Sequence, residues 1–125
     1  MTRHLSIALA LLALSSLVQA LEIETYSPER FARLQQENAG VSLHFHADWC
    51  PTCRAQQKVF NGWKGDASVP GTLLIVDYDN ARDLRRQMSV RSQSTVISFK
   101  GQQEKARLAG ETEPGALRRV LAAGN

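Results

Sequence analysis

From residue 21 onward, hydrophobic and polar positions fall into short blocks whose periods differ. LEIET (21–25) alternates and predicts a short strand. SPERFARLQQENAG (27–40) has helical spacing, with Ser27 as N-cap, Pro28 at the first helical position, Phe31 and Leu34 facing inward, and Gly40 as the expected stop. VSLHFHA (41–47) alternates, placing Val41, Leu43 and Phe45 on one face and Ser42, His44 and His46 on the other. CPTCRAQQKVFNGW predicts a helix from Cys50 to about Asn61. GTLLIVDYD (71–79) is almost continuously apolar or β-branched, which predicts a strand buried on both faces. ARDLRRQM (81–88) is a short helix, STVISF (94–99) and EKARLA (104–109) form a hairpin around KGQQ, and EPGALRRVLAAG (113–124) is a closing helix. The order is β-α-β-α-β-α-β-β-α. It predicts the α/β class, a central mixed sheet with helices on both faces.

The first twenty residues stand outside this pattern. Arg3 and His4 precede the apolar run LSIALALLALSSLV, and Val18 and Ala20 supply small residues before a cut. The run is shorter than the roughly 20 residues that span a bilayer. Residues 1–20 are therefore expected to be a signal peptide, residues 21–125 a single domain, and the mature protein periplasmic or secreted. An uncleaved anchor is the alternative. Hydrophobic content of 43% and charged content of 22% are globular proportions. The formal charge of +3 includes Arg3, and the close arginine pairs are only Arg85-Arg86 and Arg118-Arg119. That distribution describes a solvated surface, so nucleic acid is not an expected partner. A monomer is expected.

The candidate chemistry lies in HFHADWCPTC (44–53), which holds both cysteines of the chain. Cys50 falls at a helix start, where unpaired N–H groups and the positive end of the helix dipole favour a thiolate. The thiolate is the attacking species in disulfide exchange. Cys53 lies one turn further on the same face, placed to resolve a mixed disulfide, and Pro51 costs little where helical N–H groups have no partner. An inert local disulfide is the bland alternative, but so short a loop removes little unfolded-state entropy. A second alternative is a copper or zinc site using Cys50 and Cys53 with His44 or His46. The close spacing lacks the separated ligand blocks of a zinc finger.

FHADWCPTC, at a strand-to-helix junction in this element order, resembles the active-site segment of the thioredoxin family. VDYD (76–79), VRSQSTVISFKGQ (90–102) and Gly110 extend the resemblance over the rest of the chain. The resemblance implies the thioredoxin fold and a thiol-disulfide oxidoreductase in which Cys50 and Cys53 form the redox-active disulfide. Trp49, Pro51, Gln93, Ser94 and Thr95 would border the substrate. No organic cofactor and no metal is implied. The partners would be protein disulfides and a membrane-embedded thiol-disulfide electron donor. The Ala-Asp-Trp-Cys lead resembles reducing members.

Three departures are visible. His44 occupies the place of a buried acidic residue and is a candidate proton acceptor for Cys53, or else a core histidine satisfying its neighbours. Ile75 stands where a lysine often accompanies that acid. Ser94 replaces the family cis-proline. Its preceding peptide bond is expected to be trans, because a cis bond before a non-proline residue costs about 2.5–4 kcal/mol. Ser94→Pro is expected to restore a family-like docking edge and to weaken any metal binding.

Overall fold

The computed structural model describes residues 19–125, so most of the expected signal peptide lies outside the described residues. Five strands form one sheet: β1 (Glu22–Thr25), β2 (Gly40–His46), β3 (Thr72–Asp77), β4 (Thr95–Lys100) and β5 (Gln103–Ala109). The spatial order is β1-β3-β2-β4-β5. β1 and β2 both pair with β3 in parallel, while β4 pairs antiparallel with β2 and with β5. Two crossovers therefore precede a terminal hairpin, as the block pattern predicts. The helices are α1 (Pro28–Gln36), α2 (Pro51–Gly62), α3 (Arg82–Gln87) and α4 (Pro114–Ala122). Among the described residues no helix is long and apolar enough to cross a membrane.

Each face of the sheet has its own core. On one, Val41, Leu43 and Phe45 of β2 join Leu74, Val76, Ile97 and Phe99 beneath Phe31 and Leu34 of α1 and Leu84 of α3. On the other, Leu73 and Val96 pack against Phe60 of α2 and Leu117, Val120 and Leu121 of α4. The alternation in β2 separates the two faces correctly, but its polar face is not open to water. Ser42 and His44 are buried, and the Ser42 hydroxyl meets that of Ser98 at 2.6 Å. A sheet with helices packed on both sides covers both faces of its central strand.

Local signals explain most of the ends. Ser27 accepts a hydrogen bond from the Arg30 N–H and starts α1. The helix stops earlier than expected: Asn38, at φ 54°, makes the left-handed turn, and Gly40 already belongs to β2. β3 also ends early, at Asp77, whose carboxylate accepts the Asp79 N–H and opens a single 3₁₀ turn at Tyr78–Asn80.

Candidate active site

Cys50 is the N-cap of α2. Its Sγ accepts the Cys53 N–H at 3.1 Å, and Pro51 follows at the first helical position. A sulfur in that place satisfies one of the helix's orphan N–H groups and gains most when it is negative. Both cysteines are free thiols. Burial pushes the Cys50 thiol up, but hydrogen bonds from Cys53, from Ser94 and from the N–H groups of Cys53 and Thr52 outweigh it and hold it below the ordinary thiol range. Burial raises the Cys53 thiol, and its contact with Cys50 raises it further. The two sulfurs thus divide into a readily ionised one and a reluctant one.

Both cysteines are nonetheless covered. Cys50 is 2% exposed and Cys53 0%, in a small cluster with Ala47 and the ring of Tyr78. A helix-start position by itself suggests an open Cys50, which the structure corrects: the 92–95 turn closes over the pair. Ser94 lies in that turn, 4% exposed, with its Oγ 3.6 Å from Cys50 Sγ and 3.6 Å from Cys53 Sγ. The Gln93–Ser94 bond is trans, as are the other described peptide bonds, and the chain turns instead by holding Ser94 at φ 64°. The Ser94 N–H donates to the Phe45 carbonyl at 2.9 Å. A proline at 94 would lose that bond and cannot adopt a positive φ, so it cannot simply restore a family-like edge. Thr95 Oγ donates to the Ser92 carbonyl at 2.8 Å and tightens the turn, while Gln93 is half-buried beside it.

His44 does not hydrogen-bond to either sulfur. Its Nε2 faces Gln56 Oε1 at 2.8 Å and its Nδ1 faces Gln57 Oε1 at 3.1 Å. Cys53 Sγ instead points at the Phe45 carbonyl, 3.9 Å away, and at Ser94. The expected direct proton transfer from Cys53 to His44 therefore has no hydrogen bond to run along. Burial pushes the His44 pKa down to about 4, partly offset by the two glutamines, so the ring is neutral at pH 7. It lies edge-on to the Phe60 ring, with centroids 5.2 Å apart.

Gln56, which the sequence reading missed, links these parts. Its Oε1 accepts from the His44 ring, and its Nε2 donates to the Ser94 carbonyl at 3.0 Å and to the Glu111 carbonyl at 2.8 Å. The signal was present: Cys53, Gln56 and Phe60 fall on one helical stripe and are all buried. A glutamine on an inward stripe needs partners.

Trp49 is 59% exposed, and its indole N–H donates to Asp79 Oδ2 at 2.7 Å. Beside it a groove of about 870 Å³ runs past Tyr26, His46, Asp48 and Leu84, with neither cysteine in its wall. Pro51 is exposed at the rim of the pair. His46 Nε2 meets Asp48 Oδ1 at 2.9 Å. Among the described residues no three His, Cys, Asp or Glu side chains converge on a point where a metal ion would sit. With His44 Nε2 held by Gln56 Oε1, that histidine is turned toward α2 rather than free to join the two cysteines in the expected copper or zinc site.

The thioredoxin family model matches residues 22–123. Trxlp from Edwardsiella tarda, known from a crystal structure, superposes with a TM-score of 0.75 at 32% identity, over 80% of this chain and 98% of that one. Thioredoxin from Malassezia sympodialis superposes with a TM-score of 0.69 at 20% identity, over 82% and 91% of the two chains, a likeness of fold alone. A thioredoxin-like protein of Fusarium culmorum is 30% identical over 76 residues, which span 59% of this chain and 63% of that relative. A paired Cys50 and Cys53 at the start of α2, on a five-stranded mixed sheet flanked by four helices, define a thioredoxin-type dithiol protein. The chain belongs to the thioredoxin family and has the thioredoxin fold, a basis consistent with thiol-disulfide oxidoreductase activity.

Proposed function

We propose that this protein is an exported thiol-disulfide oxidoreductase that reduces disulfides in other proteins. The observation that carries the reading is the polarisation of the cysteine pair, with Cys50 Sγ capping α2 at 3.1 Å from the Cys53 N–H. The Cys50 thiolate attacks a substrate disulfide, forming a mixed disulfide and releasing the first substrate thiolate. That thiolate takes the proton of Cys53. The Cys53 thiolate then attacks Cys50 Sγ, closing the protein disulfide and releasing the second substrate thiolate. The substrate gains two electrons and the cysteine pair loses them. No other redox group is needed, and a membrane-embedded thiol-disulfide donor would return the pair to the dithiol state. Trp49, Pro51, Gln93, Ser94 and Thr95 would border the substrate chain, with Trp49 and Pro51 offering exposed side chains and the buried Ser94 and Thr95 shaping the turn beside the pair.

Two measurements test this reading. The reduced protein should reduce an interchain protein disulfide, and Cys50→Ser should abolish that activity. The reduction potential of the pair should lie nearer the roughly −270 mV of thioredoxin than the roughly −120 mV of a strong oxidant. A potential at the oxidant end would reverse the direction of the reaction. Export rests on the N-terminal pattern alone and is tested by intact mass: the exported protein should begin at Leu21, and retention of residues 1–20 in a membrane fraction would replace export with anchoring.

A further inference from the structure

We propose that Ser94 is a catalytic hydrogen-bond donor, its hydroxyl serving the thiolate at Cys50 during attack and the thiolate at Cys53 during resolution. The inference rests on the disulfide-exchange reading above and names the group that stabilises its charged sulfurs.

Three observations carry it. The first is position: Ser94 Oγ lies 3.6 Å from each sulfur, and those two sulfurs are its hydrogen-bond partners. A hydroxyl has one proton to give and lone pairs to receive. It can accept from the Cys53 S–H while donating to Cys50 Sγ, which forms the chain S–H···O–H···S⁻. When Cys50 is consumed in the mixed disulfide and Cys53 ionises, rotation about one bond turns the same O–H toward the new thiolate. No net proton passes through Ser94 in this exchange. The proton of Cys53 goes to the first substrate thiolate, and the second thiolate takes from water the proton that Cys50 released on ionising.

The second observation is strain. Ser94 sits at φ 64°, in the left-handed region that a residue with a Cβ enters only against steric resistance. Glycine would turn the chain there at less expense, but it would bring no hydroxyl. The third is that the surroundings over-determine this conformation. The Ser94 N–H is held by the Phe45 carbonyl, and its own carbonyl receives the Gly110 N–H at 3.2 Å and the Gln56 amide at 3.0 Å. β2, α2 and the loop before α4 all fix one buried hydroxyl against two sulfurs, which is where stored strain has functional meaning. Gln56 and His44 are then positioning residues that act through Ser94. The other titratable side chains around the pair are Tyr78, His44 and His46. Their hydrogen bonds go to the Arg91 carbonyl, to Gln56 and Gln57, and to Asp48.

The test compares Ser94→Ala, Ser94→Gly and Ser94→Thr in the whole protein. The pH midpoint of Cys50 alkylation and the rate of mixed-disulfide release are measured for each. A hydrogen bond to a charged group is worth about tenfold or more in an ionisation constant. Ser94→Ala and Ser94→Gly should therefore both raise the Cys50 midpoint by about one pH unit and slow release by about tenfold. Ser94→Thr, which keeps a hydroxyl, should stay closer to the unmodified protein. If Ser94→Ala fails to fold, Ser94→Gly carries the comparison, since it relieves the backbone. Unchanged midpoints, or a Ser94→Gly variant that behaves like the unmodified protein, would overturn the proposal and leave Ser94 a turn residue. An unmodified protein that reduces no protein disulfide sinks the functional reading instead, and the alkylation midpoints still judge Ser94.

Discussion

The Gln56 amide donates to the Ser94 carbonyl at 3.0 Å, so the helix that carries both cysteines also holds the turn that faces them. A movement of α2 against the sheet would displace the sulfurs and the Ser94 hydroxyl together. This coupling ties the geometry of the site to α2 and makes Gln56 the side chain that positions Ser94 against the cysteines.

Replacing Gln56 by Met keeps much of its length and removes its polar bonds. The buried His44 ring would lose its partner, at about 1–3 kcal/mol, and the Ser94 and Glu111 carbonyls would each lose one of their donors. Urea unfolding should show a loss of at least about 2 kcal/mol, together with slower mixed-disulfide release. A variant as stable as the unmodified protein would mean that the network contributes little.

His44 makes stability depend on pH in a defined window. Burial lowers its folded-state pKa to about 4, against about 6.5 in the unfolded chain. Between those values the unfolded state binds the extra proton. The stability tied to neutral His44 is therefore complete above about pH 6.5 and is lost progressively as pH falls toward 4, by about 3 kcal/mol in all. Carboxylates with lowered pKa, among them Glu24 and Glu104, act with the same sign at the acid end. The measurement is accordingly the difference in slope between the unmodified protein and His44→Leu. Equal slopes from pH 6.5 to 4 would show that His44 titrates normally.

Much of the architecture could be read from the chain because it depends on local patterns. The alternation of Val41, Leu43 and Phe45, the capped start at Ser27-Pro28 and the apolar block at 72–76 each announce an element without help from elsewhere. The cysteine pair could be read for the same reason, since a helix N-terminus is a local feature. What stayed hidden depends on contacts between distant segments. Gln56 lies on the inward stripe of Cys53 and Phe60, but its partners His44, Ser94 and Glu111 emerge only when α2 is laid across β2, and His44 reads as a partner for Cys53 until Gln56 takes its Nε2. The left-handed Ser94 leaves no local trace, because its conformation is imposed by Phe45, Gly110 and Gln56 from three other segments.

Ser94→Pro tests the backbone half of that statement. Proline is held near φ −65° and has no N–H, whereas the site has φ 64° and a bond to the Phe45 carbonyl. The variant should lose stability by more than about 1 kcal/mol in chemical unfolding unless the turn rebuilds. A Ser94→Pro protein of unchanged stability and activity would show that the turn adapts freely.

Trp49 supplies exposed apolar surface beside the pair, and Asp79 holds its indole. Asp79→Ala should change stability by less than about 1 kcal/mol, as for an exposed hydrogen bond. It should raise KM for a protein disulfide severalfold while leaving reduction of a small aromatic disulfide almost unchanged. Equal effects on both substrates would place Trp49 outside the docking surface.

The division of labour between Cys50 and Cys53 is tested most directly by trapping. Cys53→Ser and Cys50→Ser proteins are mixed with a disulfide-bonded protein substrate and analysed by intact mass under non-reducing conditions. The Cys53→Ser protein should accumulate as a mixed disulfide through Cys50, and the Cys50→Ser protein should not. Accumulation through Cys53 in the Cys50→Ser protein, or no adduct with either, would contradict the account.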